Sequence, residues 1–245
     1  KSELNKTYQN MQDSLYLYEE LIEWILILSG DFDDLERKIC NNHKNVRVYY
    51  QEAKGIYYAM NTAINFADGT YTWFINAGDN IISRNLTKLI KILEFSKSDL
   101  NFFSVIIQGE NGEQKEFKCL YKNNQGLLSQ IHKLKMPIHH QGIIYKSEIL
   151  KKYLYDENFK IRGDYENLLR IIISKRDLSI SSYKDLISIF YKGGISNQKF
   201  IHFESLKALK KNSSLKFKST LFFLYYIFRF LLNKFFDNLL NIKYF

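Results

Sequence analysis

Trp24-Ile25-Leu26-Ile27-Leu28 is an unbroken apolar run closed by Ser29-Gly30-Asp31. A strand with one face in water alternates polar and apolar residues, whereas a strand covered on both faces does not. The run therefore predicts a strand buried beneath helices on either side, and the rest of the chain must supply that cover. Around it the pattern alternates. Residues 2–20 carry Leu4, Tyr8, Met11, Leu15 and Tyr18 at helical spacing. A helix over Asp33–Cys40, a strand over Val46–Tyr50, a helix over Gly55–Phe66 and a turn at Asp68-Gly69 follow. Tyr71–Ile75 reads as a third strand ending in Asn76-Ala77-Gly78-Asp79, and Leu86–Phe95 as a helix. This alternation predicts an α/β fold, a doubly wound and mostly parallel sheet with helices on both faces. Ligands of such sheets bind beyond the carboxyl ends of strands, where residues 29–34 and 76–79 fall.

Further along, residues 102–121 read as β with a turn at Gly109–Gly112. Met136-Pro137-Ile138 is extended on the amino side of the proline. Gln141–Tyr145 predicts a strand, and Ser147–Tyr153 and Tyr165–Ser174 predict helices. With 46% apolar residues over 245 positions, the chain suits one α/β domain plus an appendage and excludes a disordered protein. Cys40 and Cys119 make no CxxC pair and no metal-ligand spacing, which fits a reducing cytosol. Residues 1–10 are polar and form no secretory signal.

The net charge of +9 suits nucleic acid, anionic lipid or a phosphorylated ligand, and its distribution decides between them. Lys207, Lys210, Lys211, Lys216 and Lys218 precede Leu221–Leu232, an apolar stretch broken only by Arg229. About twelve residues are too few to span a bilayer, which needs roughly 20. Residues 214–242 therefore read as a basic amphipathic helix, or helix pair, on an anionic membrane surface. The other reading is a helix packed on the domain or a second subunit. Nucleic acid fits poorly, because the basic cluster adjoins an apolar helix and lacks an interleaved aromatic base-stacking pattern. These features divide the chain into a domain over residues 1–200 and a helical segment over 201–245, placed peripherally at the inner face of the cytoplasmic membrane.

Two carboxylates stand where chemistry could use them. Asp79, at a strand end beside Gly78, suits a hard divalent cation; it equally suits a turn that caps the next helix. Asp164 precedes the apolar run Leu168–Ile173 and reads as a proton acceptor or a helix N-cap. His140 reads as a contact to metal or diphosphate, or as a histidine satisfied in the core. Gly193-Gly194 reads as a loop near phosphates or a plain turn.

The ordered string Lys54-Gly55-Ile56-Tyr57-Tyr58-Ala59-Met60-Asn61, Ala67-Asp68-Gly69-Thr70-Tyr71 and Trp73-Phe74-Ile75-Asn76-Ala77-Gly78-Asp79 resembles family 2 glycosyltransferases of bacterial surface-polysaccharide pathways. His140-Gln141-Gly142, Tyr155-Asp156-Glu157 with Gly163-Asp164-Tyr165, and Gly193-Gly194-Ile195-Ser196 extend the likeness over residues 20–200. The resemblance implies a GT-A fold and an inverting hexosyl- or N-acetylhexosaminyltransferase using a nucleotide-diphosphate sugar. It implies Mn²⁺ or Mg²⁺ on Asp79 and a general base at Asp164. It places donor binding on Asp33, Lys54, Gly55, Asn61, Asn76, Gly78, His140, Gln141 and Gly194, and implies a glycan or lipid-linked acceptor of the lipooligosaccharide or capsule kind. Members usually open with a buried strand ahead of the first helix, and this sequence opens on the helix. Leu28, Ala53 and Tyr58 stand where the family has aspartates on the nucleotide side. A second reading is therefore a GT-A-fold binding or scaffold protein with weakened or lost catalysis.

Overall fold

The computed structural model describes residues 2–30, 34–119, 121, 123–192, 201–212 and 219–228. Helix α1 (Ser2–Leu17) turns into strand β1 (Trp24–Leu28), helix α2 (Asp34–Asn42) and strand β2 (Val46–Tyr50). β1 and β2 pair in parallel from Trp24 opposite Val46 to Leu28 opposite Tyr50. Next come α3 (Ile56–Phe66), β3 (Tyr71–Trp73), the short β4 (Asn80–Ile81) and α4 (Leu86–Phe95). The second half supplies β5 (Leu100–Gln108), β6 (Gln114–Phe117), α5 (Asn124–Ile131), β7 (Ile143–Lys146), α6 (Ser147–Lys152), α7 (Gly163–Ser174), β8 (Ile180–Tyr191) and α8 (Ile201–Lys211). Residues 219–228 are helical.

The larger sheet runs β3-β7-β5-β8-β4, with β6 alongside β5. Apolar clusters line both of its faces, whereas in the separate β1–β2 pair Leu26 is the buried residue of Trp24–Leu28 and its neighbours are half-buried, short of the double cover expected of that run. Along β5, Phe102 enters one cluster with Ile64 of α3 and Leu168 of α7. Its neighbour Phe103 enters the other, with Leu15 of α1 and Leu89 of α4. Burial of each such side chain contributes about 1.5–3 kcal/mol.

Strand direction is more mixed than the alternating pattern predicts. β5–β8 is parallel, while β3–β7, β5–β7, β4–β8 and β5–β6 are antiparallel. The β5–β6 turn shows the cause, since a tight turn without a crossover helix returns the chain antiparallel. β3 stops at Trp73, short of the predicted Ile75, and the chain then turns to present residues 76–79. α8 lies beyond the boundary expected at residue 200, yet its Ala208 and Leu209 are fully buried in the cluster shared with α7. Phe222, Phe223 and Tyr226 pack on the same cluster. The remainder of the predicted amphipathic segment, residues 214–218 and 229–242 with Lys216, Lys218 and Arg229, lies outside the described residues.

Candidate functional site

The loop after β3 is tied down by the first turns of α1. Gly78 N donates to Glu3 O at 3.1 Å and to Thr7 Oγ1 at 2.9 Å, and Thr7 Oγ1 donates to Asp79 O at 3.0 Å. This anchorage faces Asp79 inward, and the residue is only 4% exposed. Its Oδ1 accepts from Tyr191 N at 2.9 Å, and its Oδ2 accepts from Gln141 Nε2. Burial pushes the Asp79 pKa above the ordinary value, and those two bonds offset part of the shift. Gln141 is itself fully buried. Its backbone oxygen accepts from Trp73 Nε1 at 2.7 Å, and its Oε1 lacks a partner among the described residues.

His140, the preceding residue, links the loop to the second carboxylate. Its Nε2 meets Asn76 Nδ2 at 3.1 Å. Burial lowers its pKa, and the nearby Asp164 charge raises it in part. Burial, helped by His140, holds His139 down to about 3. Both imidazoles are therefore neutral around pH 7 and offer a lone pair rather than a charge.

Asp164 stands in the first turn of α7, where its Oδ1 accepts from Tyr165 N at 2.8 Å. The loop before it is held from two sides. Glu204 of α8 accepts from the backbone N of Lys160, Ile161 and Arg162 at 3.0, 2.8 and 2.8 Å. Tyr57 of α3 donates to Ile161 O at 2.8 Å. Gly163 is required by close approach, because a Cβ there would lie 2.6 Å from the Tyr57 ring. Asn61 Nδ2 donates to Tyr155 O and Glu157 Oε1, both at 2.9 Å, and its Oδ1 accepts from Tyr155 N at 2.8 Å. The Asn61 amide is thereby committed to holding the loop that leads to Asp164.

Tyr57 also brings the amino end of α3 beside that of α7. Gly55 there has φ +107° and open space where a Cβ would stand. An exposed helix amino terminus with free N–H groups attracts anions. Lys54 beside it is exposed, pairs with Glu52 at 3.1 Å and lies 5.3 Å from the Tyr58 ring centroid.

The structure therefore brings Asn76, Gly78, Asp79, His140 and Gln141 together, with Asp164 in electrostatic reach of His140. Lys54 and Gly55 occupy the neighbouring helix end. Asp33 and Gly194, with Gly193, lie outside the described residues. Leu28 is half-buried against the cluster that contains α1 and α4, and Ala53 is exposed. Sequence reasoning missed Tyr57, Thr7 and the Tyr191 amide. Tyr57 entered it only as a letter of a motif, and a backbone amide leaves no sequence signal. Among the described residues no three acidic, histidine or cysteine side chains gather as a metal cage. A cation bridging a diphosphate needs only one or two protein oxygens, and the Asp79 carboxylate with the partnerless Gln141 Oε1 fits that demand.

A mixed sheet covered on both faces, with an aspartate loop at a strand's carboxyl end and a second carboxylate across from it, defines a GT-A glycosyltransferase fold. The family described as Glycosyl transferase family 2 matches residues 2–154, and the chain belongs to it. An uncharacterized glycosyltransferase of Methanocaldococcus jannaschii is 30% identical over 168 residues, covering 63% of this chain and 55% of its own. The structure of S. aureus TarS 1–349 in complex with UDP superposes with a TM-score of 0.63 at 15% identity, over 86% of this chain and 62% of that one. The same protein in complex with UDP-GlcNAc gives 0.65 at 17% identity, over 86% and 63%. At such identity the TarS likeness establishes the fold alone. The chain spans less than two thirds of each of these relatives.

Proposed function

We propose that the protein is an inverting glycosyltransferase. It moves a sugar from a nucleotide-diphosphate sugar to a glycan or lipid-linked acceptor in surface-polysaccharide or lipooligosaccharide assembly. The observation that carries the reading is the convergence of Asp79, Asn76 and Gln141 with Asp164 about His140. Asp164 accepts the proton of the acceptor hydroxyl as that oxygen attacks C1 of the donor sugar. The bond from C1 to the diphosphate breaks in the same displacement, and the nucleoside diphosphate leaves. Asp79 and Gln141 Oε1 would hold Mn²⁺ or Mg²⁺, whose charge neutralises the departing diphosphate. The amino end of α3 with Lys54 offers further positive potential for those phosphates. UDP-GlcNAc is the first donor to try, since the TarS neighbours bind UDP and UDP-GlcNAc.

Membrane attachment belongs to the same proposal. Leu221, Leu224, Tyr225 and Phe228 are exposed at i, i+3, i+4 and i+7 of residues 219–228, which is one helical stripe. No helix of the described residues is long and apolar enough to cross a membrane. A stripe on an interfacial helix suits an acceptor presented at the lipid surface.

The test is calorimetry of UDP-, GDP- and dTDP-sugars with and without Mn²⁺, followed by turnover assays with the donor that binds. Asp164→Asn should keep donor affinity and lose about 10²- to 10⁴-fold in turnover. Near-normal turnover removes Asp164 from its role. The second reading, a GT-A-fold binding or scaffold protein, draws on the two hydrogen bonds that Asp79 already accepts, which a bound cation would have to share, and failure of every donor to bind would favour it.

A further inference from the structure

Arg162 occupies the N-cap of α7, a position that favours a short side chain able to accept from the first amides. Arginine carries no acceptor, and its side chain makes no capping bond here. It instead puts a cation at the positive end of a helix, where anions are the favoured neighbours. Its Nε is buried and lacks a hydrogen-bond partner among the described residues. The guanidinium lies 5.5 Å from the Tyr165 ring centroid. Glu204 makes no ion pair with it, because that carboxylate is engaged by the backbone amides of Lys160, Ile161 and Arg162.

A second such nitrogen lies nearby, in the first turn of α8. His202 Nδ1 is likewise buried and without a hydrogen-bond partner among the described residues. Burial lowers the His202 pKa, and the Arg162 charge lowers it further, so the imidazole is neutral near pH 7. A neutral ring still donates one N–H. Buried donors without acceptors are costly, and an anion would satisfy both.

The surroundings say which anion. His202 stacks on Tyr226, with ring centroids 3.9 Å apart and planes 9° from parallel. Phe203 meets Phe223 edge-on at 4.9 Å. These contacts seat residues 219–228 on α8. Tyr226 is next in sequence to Tyr225, which belongs to the exposed stripe with Leu221, Leu224 and Phe228. Arg162 for its part is two residues from Asp164. Arg162 and His202 thus link the carboxylate loop to the helix that carries the apolar stripe.

We propose that Arg162 and His202 bind a phosphate group that joins the acceptor sugar to a lipid tail. The proposal rests on the glycosyltransferase reading and narrows its acceptor to one carried on a lipid phosphate or diphosphate. Arg162 supplies charge and a planar fork of donors suited to phosphate oxygens, and His202 supplies a further N–H. The tail lies along the stripe, and the sugar reaches Asp164. The donor diphosphate has its own place at Asp79 and the amino end of α3, so the two phosphate sites respond separately to mutation.

The experiment uses the full chain and decyl phosphate, with inorganic phosphate and decanol as controls. Calorimetry should show decyl phosphate bound about tenfold or more tightly than either control, since each control lacks one half of the ligand. Arg162→Gln and His202→Gln should each weaken decyl phosphate about tenfold or more, the loss expected of a hydrogen bond to a charged group. Affinity for the nucleotide sugar should stay at the parent value in both. The imidazole nitrogen signals of His202 should move when decyl phosphate is added to the parent, a change that a purely packing role does not produce. If His202→Gln does not fold, Arg162→Gln and those signals still decide. Undiminished decyl phosphate binding in Arg162→Gln overturns the proposal. So does a matching loss of nucleotide-sugar affinity, which assigns Arg162 to the donor. Inorganic phosphate bound as tightly as decyl phosphate overturns it in favour of a free anion. Loss of flotation with phosphatidylglycerol vesicles in Arg162→Gln overturns it in favour of a bilayer headgroup. Failure of every nucleotide sugar to bind, with decyl phosphate still held through Arg162, would sink the glycosyltransferase reading and leave the phosphate site standing.

Discussion

Gly163 and Tyr57 set the place of Asp164 by steric exclusion, a contact too local for any motif to announce. With a Cβ at 163 the Tyr57 ring or the first turn of α7 must shift, since 2.6 Å is shorter than carbon atoms tolerate. Gly163→Ala should cost about 1–3 kcal/mol by overpacking. Truncating Tyr57 to alanine in the same chain should remove that penalty, and urea unfolding of the four chains of the double-mutant cycle measures the coupling. Additive costs would show that the two residues act independently. Asp79→Asn keeps the shape of a buried side chain and removes its charge. The Mn²⁺-dependent part of donor affinity should vanish while the unfolding midpoint holds, which calorimetry and urea titration report separately. Motif letters alone single out Asp79, Asn76, His140 and Asp164 in the sequence. The use of Asn61 was not legible there, because a motif fixes a residue's position and says nothing of what its amide bonds.

At the level of elements, the alternation of runs yielded β1, β2, α3 and α4 nearly to the residue, since each has an unmixed period. β8 escaped notice for a physical reason. Lys184 and Asp185 interrupt its apolar sequence, and its register against β5 slips on both sides of Ser104. An irregular strand loses the two-residue period that would reveal it. α8 was read for its lysines alone, yet some of them serve the domain. Lys207 Nζ donates to Asn158 O at 3.1 Å, and Lys211 pairs with Asp156. Burial by itself would raise the Asp156 pKa, but the Lys211 and Asn158 hydrogen bonds outweigh it and hold the carboxyl at about 2. A depressed carboxylate stabilises the fold above its unfolded value of 3.8 and loses that contribution as pH falls through about 2. Asp156→Asn should therefore cost about 1 kcal/mol at pH 7, after allowance for a half-exposed lysine partner. The gap between mutant and parent should close as pH falls from about 4 toward 2, and unfolding curves across that range would show it. A constant gap would mean that Asp156 acts through packing.

Across the whole molecule, the alternation of helix and strand already implied helices on both faces of a sheet, although Trp24–Leu28, the run that pointed most directly to it, is half-buried except at Leu26. The sharing of work between domain and tail was less legible, since hydrophobicity alone does not say which face of a helix meets protein. In residues 219–228 the two faces separate. Phe222, Phe223 and Tyr226 pack on the core, while Leu221, Leu224, Tyr225 and Phe228 are at least half exposed, the last at 61%. Deleting the segment would strip packing from the domain, so membrane binding is better tested on the stripe itself. Replacing those four residues by serine leaves the packed face intact and removes only what would enter the acyl boundary. The parent chain should float with vesicles containing anionic lipid, and the serine variant should remain with the soluble fraction at equal thermal stability. Basic residues near an anionic leaflet add about 1 kcal/mol each, so raising salt should weaken the parent's binding. Salt should not eliminate it, because the apolar contribution is unscreened. If the serine variant floats as well as the parent, the stripe is not the membrane contact. If the parent itself does not float, the exposed face meets protein instead, and the acceptor reaches Asp164 without help from a lipid surface.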